Sequence, residues 1–105
     1  LPKPAVKLML NLALMVGEAL PRGGTLAIGA EQRGGVIEIA VRGEGPRITF
    51  DAEIRRYLAA GDSEPVTTRT AAAHLARGIA TRHGGRLVLS GPGDPFLMIG
   101  ASLRG

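Results

Sequence analysis

The sequence predicts an α+β two-layer sandwich, a mixed sheet of about four strands covered on one face by about three helices. Three observations carry that expectation. Apolar runs without strand alternation are interleaved with short alternating runs, the element order reads helix, hairpin, helix, helix, hairpin, and Gly or Pro clusters stand at the joints. With 105 residues, the chain is long enough to close one core without a disulfide or metal staple, so residues 1–105 are expected to form a single domain.

The first helix is expected over Ala5 to Leu20. Pro2 and Pro4 precede it, Leu, Met and Ala fill it, and Pro21-Arg22-Gly23-Gly24 stops it. Its polar residues Lys3, Lys7, Asn11 and Glu18 recur at intervals of four, four and seven and form one narrow stripe. So apolar a cylinder expects cover on more than one side. Strands follow at Thr25 to Glu31 and Val36 to Arg42, joined by Gln32-Arg33-Gly34-Gly35, and in the second Ile37, Ile39 and Val41 alternate with Glu38 and Ala40. Gly43-Glu44-Gly45-Pro46 breaks the pattern. A short helix is expected over Asp51 to Ala60, with Asp51 capping its positive N-terminus and Gly61 ending it, before a loop at Asp62 to Pro65. The next helix is expected over Val66 to His83, with Ala72, Leu75, Ala76 and Ile79 on one face, Thr70, His74, Arg77 and Thr81 on another, and Gly84-Gly85 at its end. Strands at Arg86 to Ser90 and Phe96 to Leu103 flank the turn cluster Gly91-Pro92-Gly93-Asp94-Pro95.

Composition excludes more chemistry than it suggests. Without cysteine there is no thiol catalysis, Cys-based zinc site or iron–sulfur cluster, and two histidines alone do not make a metal site, so no metal is expected. The net charge of +4 is spread evenly, with 6 basic and 4 acidic residues in 1–50 and 7 and 5 in 51–105. There is no basic block, and at 3% aromatic residues no stacking surface, so nucleic acid is not an expected partner. The longest apolar run, Leu8 to Val16, is interrupted by Asn11 and is far shorter than the roughly 20 residues of a membrane span. Neither a membrane span nor a signal peptide is expected. The chain starts at Leu1 rather than Met, which is read as the start of a piece of something longer.

Three segments carry a resemblance. Asn11-Leu12-Ala13-Leu14-Met15-Val16-Gly17-Glu18-Ala19-Leu20-Pro21-Arg22-Gly23-Gly24 resembles the helix of GHKL ATPase and histidine-kinase domains in which an Asn-Leu pair is followed four residues later by a magnesium-binding Asn, with a Pro-x-Gly-Gly exit. Asn11 and the glycines match, but the magnesium position holds Met15, which offers no oxygen to a hard cation. Val41-Arg42-Gly43-Glu44-Gly45-Pro46-Arg47-Ile48 resembles the Asp-x-Gly-x-Gly box whose Asp accepts from adenine; Gly43 stands at the Asp and Arg47 at the second Gly. The helix from Thr70 into His83-Gly84-Gly85-Arg86-Leu87 resembles the one that opens with a phosphate-approaching Gly-x-Gly, here Thr70 and Ala72. The resemblance implies a Bergerat, or histidine-kinase ATPase-like, fold with a degenerate nucleotide site at Asn11, Met15, Gly43, Arg47, Thr70 and Ala72. It implies no bound cofactor and no catalytic residue within the chain.

Val6 to Leu12 and Glu18 to Leu26 also look like the C-terminal domain of ChpT-type histidine phosphotransferases. That resemblance implies a cytoplasmic two-component phosphorelay and a role in holding the receiver domain of a response regulator. The phosphoacceptor His would lie on an upstream helical dimerisation domain, through which the protein would be a homodimer. The alternatives are an authentic ATP-binding kinase or GHKL ATPase domain and a stand-alone interaction module. Among single residues, Asn11 is expected to bond a neighbouring loop, Glu18 to be solvated, His83 to serve the helix end, and His74 to sit on a polar face. Arg69, Arg77 and Arg82 are candidates for contact with an acidic receiver surface.

Overall fold

The computed structural model describes residues 2–60, 66–67, 70–91 and 93–104. Helix α1 spans Lys3–Glu18, β1 Thr25–Arg33, β2 Val36–Glu44, α2 Ala52–Ala60, α3 Ala71–Arg82, β3 Arg86–Leu89 and β4 Leu97–Arg104. The strands form one sheet in the order β1-β2-β4-β3. All three pairings are antiparallel, so the sheet is not mixed as the sequence suggested. Each hairpin is antiparallel by its turn, and the two helices between β2 and β3 bring the second hairpin back with β4 running against β2.

Helix boundaries follow local chemistry. α1 begins at Lys3, two residues before the expected start, because a proline in the first turn loses no helical hydrogen bond. It ends at Glu18 because Pro21 disfavours a helical Leu20. The first hairpin turns on Gly34 and Gly35 alone, at φ +55° and +83°, which matches the twist of paired strands and lets β1 run on to Arg33. Asp51 caps α2 as expected, its Oδ1 accepting from the N–H groups of Glu53 at 2.8 Å and Ile54 at 3.3 Å. The expected end of that helix at Gly61, the loop at 62–65 and Pro92 of the turn cluster lie outside the described residues.

α3 begins at Ala71, five residues later than expected. Thr67 and Thr70 explain the delay, since the Thr67 N–H donates to Thr70 Oγ1 at 2.8 Å and the Thr70 N–H to the Thr67 carbonyl at 3.2 Å. This local turn competes with helix, and Thr70 occupies the N-cap position without its hydroxyl bonding any helix N–H. The buried side of α3 is Ala73, Ala76, Ile79 and Ala80, while Leu75, expected inside, is 53% exposed.

α1 packs on β2 and α3, and the core joins Leu8, Leu12 and Val16 to Ile37, Ile39 and Val41 of β2 and Leu97, Ile99 and Leu103 of β4. Tyr57 of α2 is buried against α3. As expected, α1 is covered on more than one side, by the sheet and by α3, but its outer face is open, with Leu10 and Leu14 57% and 64% exposed.

Candidate functional site

The C-terminal turns of α1, the segment Thr49 to Ile54 and the start of α3 meet around an open cleft of about 490 Å³. Its walls include Met15 and Glu18 of α1, Phe50 and Asp51 ahead of α2, and Ala71 and Ala72 at the head of α3. Backbone and side-chain bonds hold these walls in place. The Thr49 N–H donates to the Ala19 carbonyl at 2.8 Å, which lays the segment before α2 across the end of α1. Asn11 Nδ2 donates to the Ala72 carbonyl at 3.1 Å and ties α1 to the first turn of α3. On the outer side, the Thr67 hydroxyl donates to Glu53 Oε1 at 2.9 Å, and Arg55 donates to the Ser90 carbonyl at 2.8 Å with its guanidinium 5.4 Å from the Phe50 ring centre.

Of the six positions singled out in the sequence, Met15 and Ala72 are in the walls. Asn11 and Thr70 stand behind them, Asn11 through its bond to Ala72 and Thr70 as the fully buried residue preceding Ala71. Asn11 therefore bonds the first turn of a neighbouring helix rather than the expected loop, through one N–H of its amide. Gly43 and Arg47 are not in the walls. Gly43 is buried on β2 beneath the end of α1, and a Cβ placed there would come 2.5 Å from Val16 Cγ1 and 3.2 Å from Leu20 Cδ1. Arg47 is exposed.

The lining is mostly apolar, with two acidic residues. Met15, Ala19, Phe50 and Ile54 supply the apolar part, Glu18 and Asp51 supply two carboxylates, and no Lys or Arg is among the described lining residues. Phe50, Thr49 and Ile54 were not foreseen in the sequence. The signal that could have found them is Asp51, because a residue that caps a helix fixes its neighbours at the mouth of that helix.

The remaining candidates lie elsewhere. His83 is the C-cap of α3, and its carbonyl accepts from the Arg104 N–H at 2.9 Å, so it serves the helix end. His74 is exposed, but its Nδ1 shares a hydrogen bond with the hydroxyl of buried Tyr57, a tie between α2 and α3 that the sequence did not suggest. The Arg77 guanidinium lies 5.6 Å from the centre of the same Tyr57 ring. Arg82 is exposed on the last turn of α3, and Arg69 is outside the described residues. No described helix is long and apolar enough to cross a membrane.

Comparison with known proteins extends over nearly the whole chain. Residues 1–95 match the family described as histidine phosphotransferase C-terminal domain. No curated protein sequence matches. Among solved structures, a bacterial phosphotransferase superposes with a TM-score of 0.79 at 22% identity, over 96% of this chain and 49% of that one. The catalytic domain of the histidine kinase ThkA in a nucleotide-free form gives 0.68 at 19% identity, over 96% of this chain and 65% of that chain. The mycobacterial sensor histidine kinase MprB gives 0.63 at 21% identity, over 97% and 70%. At these identities the likeness establishes the fold, and the chain spans about half the length of the phosphotransferase.

Proposed function

Because the chain belongs to the histidine phosphotransferase C-terminal domain family, we propose that it is the non-ATP-binding domain of a ChpT-type phosphotransferase in a cytoplasmic two-component phosphorelay. In this reading a His outside these residues, on a helical dimerisation domain, carries the phosphoryl group between receiver domains. The present domain helps to hold the response-regulator receiver against it.

The observation that carries the reading is the chemistry of the cleft. A magnesium triphosphate needs oxygen ligands, cationic or amide donors and room for the base. The cleft offers a thioether at Met15 where an oxygen ligand would be needed, and the Asn11 side chain is oriented by its Nδ2 bond to the Ala72 carbonyl. Methyl groups at Ala71 and Ala72 line the head of α3, where glycines would let a phosphate approach the backbone. The two carboxylates repel phosphate, each like-charge pair at roughly 5 Å costing about 1–3 kcal/mol at effective dielectrics of about 80 down to about 20. At the adenine-Asp position, Gly43 lies under Val16 with no space for a side chain.

Two measurements test this. Titration with magnesium and a non-hydrolysable ATP analogue is expected to leave the melting temperature unchanged, since a ligand at about 100 times its Kd would stabilise by about 2.7 kcal/mol. A shift of several degrees would restore the ATPase reading. In the longer protein, removing this domain is expected to slow phosphoryl transfer to the receiver mainly through KM, and unchanged kinetics would rule out a role in positioning.

A further inference from the structure

β1 is an edge strand without the usual protection. All nine of its residues are exposed, and they run one-to-one against β2 from Thr25 opposite Glu44 to Arg33 opposite Val36 with no bulge. It contains neither Pro nor Lys, the devices that commonly keep an open edge from pairing. Its two charges, Glu31 and Arg33, are bound to each other at 2.6 Å. The other edge, β3, is only four residues long.

The face that β1 shares with the core is also uncovered. Leu26, Ile28 and Ala30 lie beside Gly43, Val41 and Ile39 of β2. Helix α1 packs mainly over β2 and only along its margin against β1, so Ile28 is 47% exposed and Leu26 42%, against 0% for Val41. An edge of unpaired N–H and C=O groups is completed by another strand.

We propose that this strand is β1 of a second copy, paired antiparallel about a two-fold axis at Gly29, so that the two sheets become one. The charge pattern selects that arrangement. Parallel in-register pairing would set Glu31 beside Glu31 and Arg33 beside Arg33, a repulsive contact. Antiparallel pairing about Gly29 sets Glu31 opposite Ala27 and Arg33 opposite Thr25. It also sets Ile28 opposite Ala30 twice, placing four apolar side chains together on the face that α1 leaves largely open. Gly29, at the axis, has no side chain to keep the copies apart. The strand is thus complementary to itself, as an isologous interface requires. This inference is independent of the phosphorelay reading.

The absence of native cysteine makes the test direct. At Gly29 a Cβ would meet nothing within 4 Å, and the same holds for exposed Gly17 on α1. Residues facing each other across an antiparallel pair have Cα atoms about 4.5–5.5 Å apart, within disulfide range. Oxidised Gly29→Cys is therefore expected to cross-link into a dimer at least about tenfold faster than Gly17→Cys, the advantage of a pair already held together. The unmodified chain is expected to sediment as a dimer, and Ile28→Lys as a monomer with an unchanged circular dichroism spectrum, its site being already half-exposed. A chain monomeric at about 1 mM, the weak end of specific association, overturns the proposal and leaves the edge to a strand of another protein. Equal cross-linking rates at positions 29 and 17 overturn it too.

Discussion

Gly43 and Val16 occupy one space, which neither residue reveals alone. Val16 is fully buried, and its Cγ1 fills the volume that a Cβ on residue 43 would take. A β-branched side chain on a helix has essentially one rotamer, so Val16 cannot swing aside. Gly43→Ala is therefore expected to destabilise the fold by about 1–3 kcal/mol through overpacking, measured as a fall in the urea midpoint without a change in slope. Combining it with Val16→Ala should cost less than the sum of the two single changes, because each supplies the room that the other lacks. Additive costs would show that the two side chains do not compete. The sequence marked Gly43 as a departure from an Asp, but the reason glycine is tolerated, and now needed, is a contact across 27 positions of chain.

Among the elements, α1 and the two hairpins were legible because their signals are local. A run bounded by prolines, an alternation in Val36–Glu44 and a Gly-Gly turn each follow from a few adjacent residues. Helix α2 and its Asp51 cap were legible as well, but α3 and its packing on α2 were read less well. Alanine-rich segments have little amphipathic contrast, so the choice between Ala73 and Leu75 as the inward residue is made by the close approach of α3 to its neighbours. The tie between α2 and α3 through Tyr57 and His74 depends on that approach as well. His74→Ala would leave the buried Tyr57 hydroxyl without its partner, at about 1–3 kcal/mol. Adding Tyr57→Phe should recover much of that loss in thermal or urea unfolding, since removing both partners is less costly than orphaning one. A double variant as unstable as His74→Ala would mean that the hydrogen bond is not what His74 contributes.

At the scale of the whole molecule, the cleft is a product of three segments far apart in sequence, and its character is a sum over all of them. Restoring the individual nucleotide-binding residues is therefore expected to fail. A variant carrying Met15→Asn, Thr70→Gly and Ala72→Gly would regain a magnesium ligand and a glycine approach, yet keep Glu18, Asp51 and the filled space at Gly43. Calorimetric titration with magnesium and an ATP analogue should show no binding tighter than about 1 mM. Micromolar affinity in that variant would mean that those three substitutions alone separate this cleft from a nucleotide site.

The amino-acid sequence by itself determined the element order, the α+β class, the glycine and proline joints and the resemblance to the histidine-kinase-like fold. These are properties of short windows, where periodicity, capping and turn chemistry act between near neighbours. Only the tertiary structure decided that the sheet is antiparallel throughout, that α1 leaves β1 exposed along its length, that Asn11 bonds Ala72 and that Glu18 and Asp51 share one cleft. Those outcomes rest on packing between distant segments, and packing is settled by how volumes and hydrogen-bonding groups fit when every element is in place.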